Sequence, residues 1–340
     1  MKYYDVVIVG AGPGGLNCAE KLSSSKLKVL LLEKNITIGP KICGGGITNH
    51  AIEYLKLPKD IQGNKFREIR VYNNSKSATM KKKDDFIYTV DREILGQWQL
   101  KKLNKENVEI RTDAKVSKIT KNYLIVNNDE KIKFKYLVGA DGVASIVRKY
   151  LKLRTGFGIT IQYILPTNKY KKFELHYDSK LFNAWFAWIV PHKNHVSIGC
   201  GGHPKILPAK KLNNNFNIWL KKNEIDVSKG EYKAWPIGYN YQGYRFDNIF
   251  LVGEAAGLTS PLTGEGIYPA LISGEEVAKI IQNEKYVSRI MDKIITTNKL
   301  HMRIMNILIK SGPLRKLEFQ LFIWAIKSKL FDKLLIDFLL

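Results

Sequence analysis

Residues 5–22 read DVVIVGAGPGGLNCAEKL, and this stretch decides the fold of the amino-terminal part of the chain. An apolar run leads into Gly10, Gly12 and Gly15, and helix-forming residues follow. Glycines at this spacing permit a tight turn, let the backbone approach a pyrophosphate, and let the helix pack on the strand. A second apolar run, KVLLLE, ends at Glu33, whose carboxylate can accept the hydrogens of both ribose hydroxyls. The stretch therefore predicts a dinucleotide-binding unit for NAD or FAD, because an acid at this position favours an unphosphorylated ribose.

The residues at two further strand ends indicate that the predicted ligand is FAD rather than NAD. The run YLVGADGVASIVR places Asp141 and Gly142 at the end of one apolar strand, and NIFLVGEAAG places Gly253 and Glu254 at the end of another. The carboxyl ends of parallel strands meet at one edge of a sheet, so these residues are predicted to converge with Gly12 on one long ligand. We therefore predict FAD, whose ribityl chain and flavin extend beyond the pyrophosphate.

The stretch PLTGEGIYPAL, residues 261–271, follows the last of these strands and precedes a predicted helix. Gly264 and Gly266 let the backbone come close to a ligand, and the helix beginning near Ile267 offers free N–H groups and a positive dipole end. This loop is predicted to contact the same phosphorylated, polyhydroxylated cofactor.

The predicted fold class is mixed α/β, with a Rossmann-like FAD-binding domain interleaved with a mainly antiparallel β-sheet substrate domain and followed by a C-terminal helical segment. Residues 35–60 are predicted as loop around a glycine cluster, 91–106 as a helix, and 155–245 as long strands rich in aromatic residues. The predicted FAD-binding domain comprises residues 1–60, 91–154 and 246–285, the substrate domain 61–90 and 155–245, and the helical segment 286–340.

The cysteine content and the N-terminus exclude secreted and membrane-spanning classes. The 340 residues contain three cysteines, Cys18, Cys43 and Cys200, which are too few and too scattered for a disulfide framework. The N-terminal apolar run is too short for a membrane span and lacks the small-residue site of a signal peptide. We therefore expect a reducing, cytoplasmic location.

The formal net charge of +24 could attract nucleic acid, anionic lipid or an acidic protein. Arginine-led base readout and an aromatic RNA-binding signature are both absent, so no nucleic acid is predicted. The abundance of lysine, asparagine and isoleucine is equally typical of an AT-rich genome.

Residues 313–340 form an amphipathic pattern with Lys327, Lys329 and Lys333, which predicts either peripheral contact with an anionic membrane or packing on the protein's own core as a tunnel wall.

The order of these motifs resembles a known superfamily. GxGxxG, the acid at Glu33, ADGxxSxVR and GEAAGxxxPLTGEGI together resemble the p-hydroxybenzoate hydroxylase-type FAD-dependent oxidoreductases. Within that superfamily, KICGGG (41–46) and SPLTGEGIYPALISG (260–274) resemble the geranylgeranyl reductases, which include the archaeal digeranylgeranylglycerophospholipid reductases. The resemblance covers residues 1–285 at the level of motifs.

The resemblance implies cofactor contacts by position. The ADP half would be held by Gly10, Gly12, Gly14, Gly15 and Glu33. Arg92 would reach the pyrophosphate side, and Val116 would lie beside the adenine. The contacts of the flavin half would come from Cys43, Gly44, Gly46, Glu254, Gly266 and Ile267, with Glu254 on the ribityl or phosphate-side hydroxyls and Gly266 and Ile267 at the pyrimidine edge of the ring.

The resemblance also implies a reaction. A geranylgeranyl reductase saturates isolated C=C bonds of a polyprenyl chain, here on a membrane lipid, by hydride transfer from N5 of reduced FAD and addition of a proton to the other carbon. The implied catalytic residues are Cys43 and Trp188, although Cys43 can equally be a small packing residue. The family's substrate signature, PxxYxWxFP, is matched here only at Trp188 and the final proline. The implied substrate-binding residues are Phe186, Trp188, Val190 and Pro191.

Several alternatives stay open at this stage. There is no second GxGxxG, so electrons would come from transiently bound NAD(P)H or from a small, acidic redox protein. An FAD-dependent monooxygenase or halogenase acting on a small aromatic substrate would use the same cofactor fold, as would a flavin-based sensor or lipid carrier. His192, His195 and His203 lack the paired spacing of metal ligands, so no metal site is predicted.

Overall fold

The computed structural model describes residues 1–103 and 106–328. The strands, in chain order, are β1 (Lys2–Val9), β2 (Val29–Leu32), β3 (Gly46–Thr48), β4 (Lys65–Phe66), β5 (Glu68–Asn73), β6 (Lys76–Lys81), β7 (Ile87–Thr89), β8 (Val108–Arg111), β9 (Val116–Ile119), β10 (Tyr123–Val126), β11 (Glu130–Gly139), β12 (Gly156–Leu165), β13 (Phe173–Tyr177), β14 (Phe186–Pro191), β15 (Val196–Gly202), β16 (Glu231–Tyr239), β17 (Arg245–Phe246) and β18 (Ile249–Leu251). The helices are α1 (Pro13–Leu22), α2 (Asn49–Leu55), α3 (Arg92–Lys102), α4 (Ile146–Tyr150), α5 (Ala209–Lys222), α6 (Gly253–Ala256), α7 (Ile267–Gln282), α8 (Arg289–Lys310) and α9 (Arg315–Lys327), with a 3₁₀ turn at Gly312–Leu314.

The first sheet is built around β1. Its strands follow the order β17-β18-β11-β1-β2-β8 and are parallel from β18 to β8. Strand β10 pairs antiparallel with β11, and β9 pairs antiparallel with β10. The segments VVIV of β1 and VLLL of β2 are buried throughout because both faces of the sheet are covered. Helices α1 and α7 pack on one face, while α4, α6 and the β9–β10 extension cover the other.

The second sheet has seven strands in the order β16-β12-β15-β14-β13-β5-β6, antiparallel except for the β13–β5 pair. Helix α5 covers one of its faces through Leu212, Phe216 and Trp219. A third sheet of three strands has the order β3-β7-β4. The predicted mixed α/β class, with a Rossmann-like sheet, a mainly antiparallel sheet and C-terminal helices, is confirmed.

Three local predictions are corrected by the structure. The predicted loop of residues 35–60 contains β3, of 3 residues, and α2, of 7 residues, which are too short to give a clear periodic pattern in the sequence. Helix α5 lies inside the stretch predicted as strands, with its buried residues at helical spacing. Helix α3 ends at Lys102 rather than at 106, since Leu103 is already extended. The predicted amphipathic tail begins as α9, and its continuation at 329–340, including Lys329 and Lys333, lies outside the described residues.

A buried arginine ties the two large sheets together. Arg148 is 1% exposed, and its guanidinium donates to the backbone carbonyls of Arg154 at 2.6 and 3.2 Å, Asn240 at 2.6 Å and Ala255 at 2.9 Å. Burial lowers the pKa of Arg148 from its ordinary value. Arg154 lies just before β12, Asn240 lies just after β16, and Ala255 belongs to α6. One side chain therefore joins segments of the first and second sheets.

No helix within the described residues is both long enough and apolar enough to cross a bilayer.

Candidate functional site

A cavity of about 1250 Å³ lies between the carboxyl edge of the first sheet and the face of the second sheet that is opposite α5. One side is formed by the loops that follow β1, β2, β11 and β18, and the other by side chains of β16, β12, β14, β13, β5 and β6. Small-molecule pockets usually measure roughly 300–1,000 Å³. The cavity therefore has room for a large cofactor and for a second ligand beside it.

The glycines of the first turn have different tasks. Gly10 has a φ of +102°, and a Cβ there would lie 2.5 Å from the carbonyl oxygen of Ala140, while a Cβ at Gly15 would lie 2.0 Å from that of Gly10. Both glycines are therefore required by the packing of the protein itself. Gly12 has a φ of −73°, and the nearest atom to a Cβ there is 4.0 Å away, so the protein alone would accept a side chain. The space beside Gly12 belongs to the cavity, and no side chain caps α1 at this point.

The Glu33 carboxylate is fixed at the end of β2. Its Oε2 accepts a hydrogen bond from the backbone N–H of Ala11 at 2.9 Å, and its Oε1 accepts one from Asn35 at 3.0 Å. Each carboxylate oxygen has a further lone pair, so Glu33 can accept hydrogens from a ligand without giving up these bonds.

Four buried side-chain atoms that border the cavity have no hydrogen-bond partner in the described protein. They are Thr48 Oγ1, Arg92 Nε, Asp141 Oδ1 and Trp185 Nε1. Buried polar atoms are almost always paired, so a set of unpaired donors and acceptors around one cavity indicates a polar ligand. Arg92 and the uncapped start of α1 suit a pyrophosphate, whereas Glu33 and Asp141 suit sugar hydroxyls. The residues present therefore fit a dinucleotide such as FAD.

Asp141 is a perturbed acid on the cofactor side of the cavity. Its Oδ2 accepts from the backbone N–H of Ile146 at 2.7 Å, while Oδ1 has no protein donor. Burial raises the pKa of Asp141 to about 6. A ligand hydroxyl donating to Oδ1 would replace the hydration that the carboxylate lacks.

Both carboxylate oxygens of Glu254 already accept hydrogen bonds from other parts of the protein. Its Oε1 accepts from the backbone N–H of Gly238 at 2.7 Å, and its Oε2 lies 2.5 Å from Lys41 Nζ. Glu254 thereby bridges β16 and the loop that contains Lys41. Lys41 is not among the site residues predicted from the sequence, although only Ile42 separates it from the CGGG cluster.

A chain of hydrogen bonds holds this loop against the second sheet. Trp188 Nε1 donates to Ser197 Oγ at 3.1 Å, Ser197 donates to Gln162 Oε1 at 3.3 Å, and Gln162 Nε2 donates to the carbonyl of Cys43 at 3.3 Å. A Cβ on Gly199 would lie 2.4 Å from the Trp188 ring, so the bare strand there makes room for the indole. Gln162 and Ser197 carry no motif, and only the pairing of β12, β14 and β15 identifies them.

His192 supports the same loop at the next residue, Gly44. Its Nε2 lies 3.0 Å from the carbonyl oxygen of Gly44, so this nitrogen carries the hydrogen. Burial lowers the pKa of His192 to about 4, so the ring is neutral at physiological pH. His195 stacks on it with ring centroids 4.2 Å apart. The two histidines therefore support this loop, residues 41–46, which we call the glycine loop. Within the loop, the Gly45 N–H donates to Cys43 Sγ at 3.4 Å.

Most of the predicted site residues border this one cavity. They are Gly10, Gly12, Gly14, Glu33, Cys43, Gly44, Gly46, Arg92, Val116, Asp141, Gly142, Phe186, Trp188, Val190, Gly253, Glu254, Gly264, Gly266 and Ile267. Two do not: Gly15 lies beneath the first turn, and Pro191 ends β14 with its carbonyl bonded to Asn64 Nδ2 at 3.2 Å.

The half of the cavity above β13, β14, β5 and β6 is apolar. Its walls carry aliphatic and aromatic side chains: Ile69, Met80, Phe173, Leu175, Tyr177, Phe186, Trp188, Val190 and Phe322. This half continues directly from the part bordered by Cys43 and Gly44, so an apolar ligand there would lie beside the cofactor side.

Comparison with known proteins agrees with this geometry. The family model described as FAD binding domain matches residues 101–279, which is more than half of the chain, and the Thi4 family model matches residues 1–135. The digeranylgeranylglycerophospholipid reductase of Methanococcus vannielii is 29% identical, over 92% of this chain and 87% of that protein. The geranylgeranyl diphosphate reductase of Rhodobacter capsulatus is 26% identical, over 81% and 74%.

A solved structure shares the whole fold. The geranylgeranyl bacteriochlorophyll reductase-like protein of Thermoplasma acidophilum superposes with a TM-score of 0.85 at 20% identity, covering 100% of this chain and 95% of that one. The resemblance to the geranylgeranyl reductases noted from the motifs is therefore confirmed, and FAD is the cofactor that the matched family binds.

Substitutions at two glycines separate cofactor binding from folding. Gly12→Ala should fold with unchanged thermal stability and bind FAD at least about tenfold more weakly, because its Cβ meets only the ligand. Gly15→Ala, the matched control, should instead destabilise the fold, because its Cβ overlaps the Gly10 carbonyl. Thermal unfolding of the apoproteins and FAD titration give the two readouts. Wild-type FAD affinity in Gly12→Ala would contradict the placement of the cofactor.

Asp141→Asn should have opposite effects on stability and on binding. The pKa of Asp141 is about 6 in the folded chain and about 3.9 when unfolded, so its charge opposes folding above pH 6 and not below pH 4. The variant apoprotein should therefore be more stable by about 1–3 kcal/mol at pH 8, with the gain vanishing near pH 4. It should also bind FAD more weakly. Denaturant unfolding across this pH range checks the first effect, and a pH-independent difference would show that the carboxylate is not perturbed.

Proposed function

The chain belongs to the FAD binding domain family and is an FAD-dependent oxidoreductase, and from this premise we propose that it saturates isolated C=C bonds of a polyprenyl chain carried by a membrane lipid. The observation that supports the proposal most strongly is the apolar half of the cavity, which continues from the cofactor side and ends among aromatic side chains. The names of the two relatives, a digeranylgeranylglycerophospholipid reductase and a geranylgeranyl diphosphate reductase, point to the same substrate class.

The chain's own residues would hold the cofactor through the contacts already described. The start of α1 and Arg92 would bind the pyrophosphate, Glu33 would bind the ribose, and Asp141 would accept a hydrogen bond from a ribityl hydroxyl. The Lys41–Glu254 pair and the Gln162 bond to Cys43 close the glycine loop over the second sheet and so exclude water. Reduced FAD, when bound, supplies the hydride that one alkene carbon accepts.

The substrate side would stabilise the charge that develops on the alkene. An isolated alkene is a poor hydride acceptor, so its other carbon must gain a proton while positive charge builds up. The aromatic ring of Trp188 borders the cavity, and its indole N–H is fixed by Ser197 at 3.1 Å, so the ring is held in place. An aromatic face attracts positive charge in a site without water.

Two groups on the cavity wall could deliver the proton. Cys43 lies in the glycine loop with its sulfur 3.4 Å from the Gly45 nitrogen. Glu265 lies between the two glycines of the PLTGEGI loop, and burial raises its pKa to about 8, so its carboxyl carries a proton at neutral pH. Glu265 was not predicted as a site residue, because in the sequence it stands between Gly264 and Gly266 and was taken as part of a turn.

The electron donor is proposed to be NAD(P)H or a small, acidic redox protein. The net charge of +24 favours an acidic partner. Anaerobic mixing of the FAD-loaded protein with NADPH, NADH or a reduced acidic ferredoxin, followed by the loss of flavin absorbance, distinguishes these donors. Failure of all three to reduce the flavin would exclude both proposed classes.

We also propose peripheral contact with an anionic membrane through the outer face of α9. Leu314, Leu317, Leu321 and Trp324 are 64%, 54%, 56% and 63% exposed, and Lys316 lies among them. An exposed apolar stripe with interleaved lysines is typical of a helix lying in a lipid interface. The opposite face of α9 packs on the protein, so the membrane and the core-packing alternatives apply to two faces of one helix.

The reaction is tested by the mass of the product. Reduced, FAD-loaded protein incubated with a geranylgeranyl lipid should add the mass of two hydrogen atoms for each bond saturated. Cys43→Ser and Cys43→Ala should keep FAD and react about 100-fold more slowly, the range expected for loss of a proton donor. An unchanged lipid mass with reduced flavin in the site would contradict the proposed function.

The two cysteine variants also separate chemistry from loop geometry. Serine preserves an acceptor for the Gly45 N–H, whereas alanine removes it. Equal slowing of both variants would support a role for the thiol. A wild-type rate in Cys43→Ser would show that Cys43 shapes the loop and is not catalytic.

Membrane contact is tested by vesicle sedimentation. Full-length protein should sediment with phosphatidylglycerol vesicles and be released by salt, because charge attraction is screened over about 8 Å at physiological ionic strength. Replacement of Leu317, Leu321 and Trp324 by serine should leave the protein in the supernatant. Ile218→Ser, at an equally exposed position (55%) on α5, is the control and should behave as wild type. Equal sedimentation of all three proteins would refute the proposed face.

A further inference from the structure

The cavity crosses the second sheet from strand to strand. Thr160 and Gln162 of β12 border it near the glycine loop, and Ile69 of β5 and Met80 of β6 border it at the far side. Five inter-strand steps separate β12 from β6, which at about 4.8 Å per step corresponds to about 24 Å. The cavity is therefore elongated across the strands, as a linear apolar ligand requires.

The far end of the cavity is closed by an aromatic cluster. The Tyr177 ring lies 5.3 Å from that of Phe186, 5.0 Å from Phe319 and 5.7 Å from Phe322, measured between centroids. Phe322 is the residue through which the described part of α9 borders the cavity. The next residue, Ile323, and Ile326 one turn further along α9 pack in the same buried cluster as Ile69 and Met80, so the helix lies directly on the sheet beyond this point.

The two ends of the cavity differ in polarity. The end near β16 is bordered by Lys233 and His195, and Lys233 Nζ lies 3.0 Å from Glu231. The end at α9 is bordered by aromatic and aliphatic side chains. A lipid with a polar headgroup would therefore enter with its apolar chain end directed toward Phe322.

We propose that Phe322, supported by Tyr177, is the end wall that limits the length of prenyl chain the protein accepts. The inference rests on the proposed function, since it assigns a chain-length limit to the same cavity. A chain longer than the distance to Phe322 meets α9, which is held on β5 and β6 by Ile323 and Ile326. Extension past this point would require the helix to move.

The size of residue 322 should set the limit in both directions. The probes are fully saturated prenols of two to six isoprene units, which bind like the substrate and cannot be reduced, titrated into oxidised, FAD-loaded protein by calorimetry. For the wild type, affinity should rise with each added unit until the chain reaches the wall. Phe322→Ala should move that limit to a chain at least one unit longer, and Phe322→Trp to a shorter one.

Two further variants control the experiment. Ile307→Ala changes an exposed apolar residue of α8 that does not border the cavity, and should keep the wild-type limit. Phe322→Leu keeps an apolar side chain against the sheet and should lengthen the limit by a smaller amount than alanine, so it replaces Phe322→Ala if that variant unfolds.

The outcomes distinguish this inference from the proposed function. Prenols that bind with one common length limit in all of the variants would show that Phe322 is not the wall, while leaving prenyl binding intact. Absence of binding at every chain length, with FAD normally bound, would overturn the proposed function and the wall together. A limit that follows the size of residue 322 supports the inference.

Discussion

A buried guanidinium with carbonyl partners is the interaction on which the position of the cavity depends. Arg148 is bonded to the backbone of Arg154, Asn240 and Ala255, and these bonds join the entry of β12, the exit of β16 and the end of α6. Removing the cation would leave three carbonyls unpaired in the interior, which costs about 1–3 kcal/mol for each group. The two sheets therefore face each other in one arrangement, and the space between them is the cavity.

Further polar contacts across the same gap fix its walls. Glu254 bridges Gly238 of β16 and Lys41 of the glycine loop, and Gln162 joins that loop to the second sheet. Residues with an unpaired buried polar atom, such as Asp141, remain at the border of the cavity in the described part of the chain. A site whose walls are held by protein contacts does not have to be organised by its ligand, which favours binding and catalysis.

The sequence predicts those parts of this arrangement that depend on local spacing. Gly10, Gly12 and Gly15 specify the first turn, and the strand ends at Asp141 and Gly253 meet it because parallel strands share an edge. The partners of Glu254 could not be predicted, since Lys41 is 213 residues away in the chain and no spacing rule connects them. The apolar positions of α5, at Leu212, Phe216, Trp219 and Leu220, follow helical spacing, so this helix was predictable from the sequence.

The central claim is that FAD and an isoprenoid chain meet in this one cavity and exchange a hydrogen pair. It is tested most directly by mixing anaerobically reduced, FAD-loaded protein with a geranylgeranyl lipid while the flavin absorbance is recorded. We predict that the oxidised flavin band returns without oxygen, in proportion to the number of double bonds lost from the lipid. A flavin that stays reduced in the presence of the lipid and is oxidised only when oxygen is admitted, with an oxygen atom transferred to an aromatic compound, would contradict the claim and favour a monooxygenase.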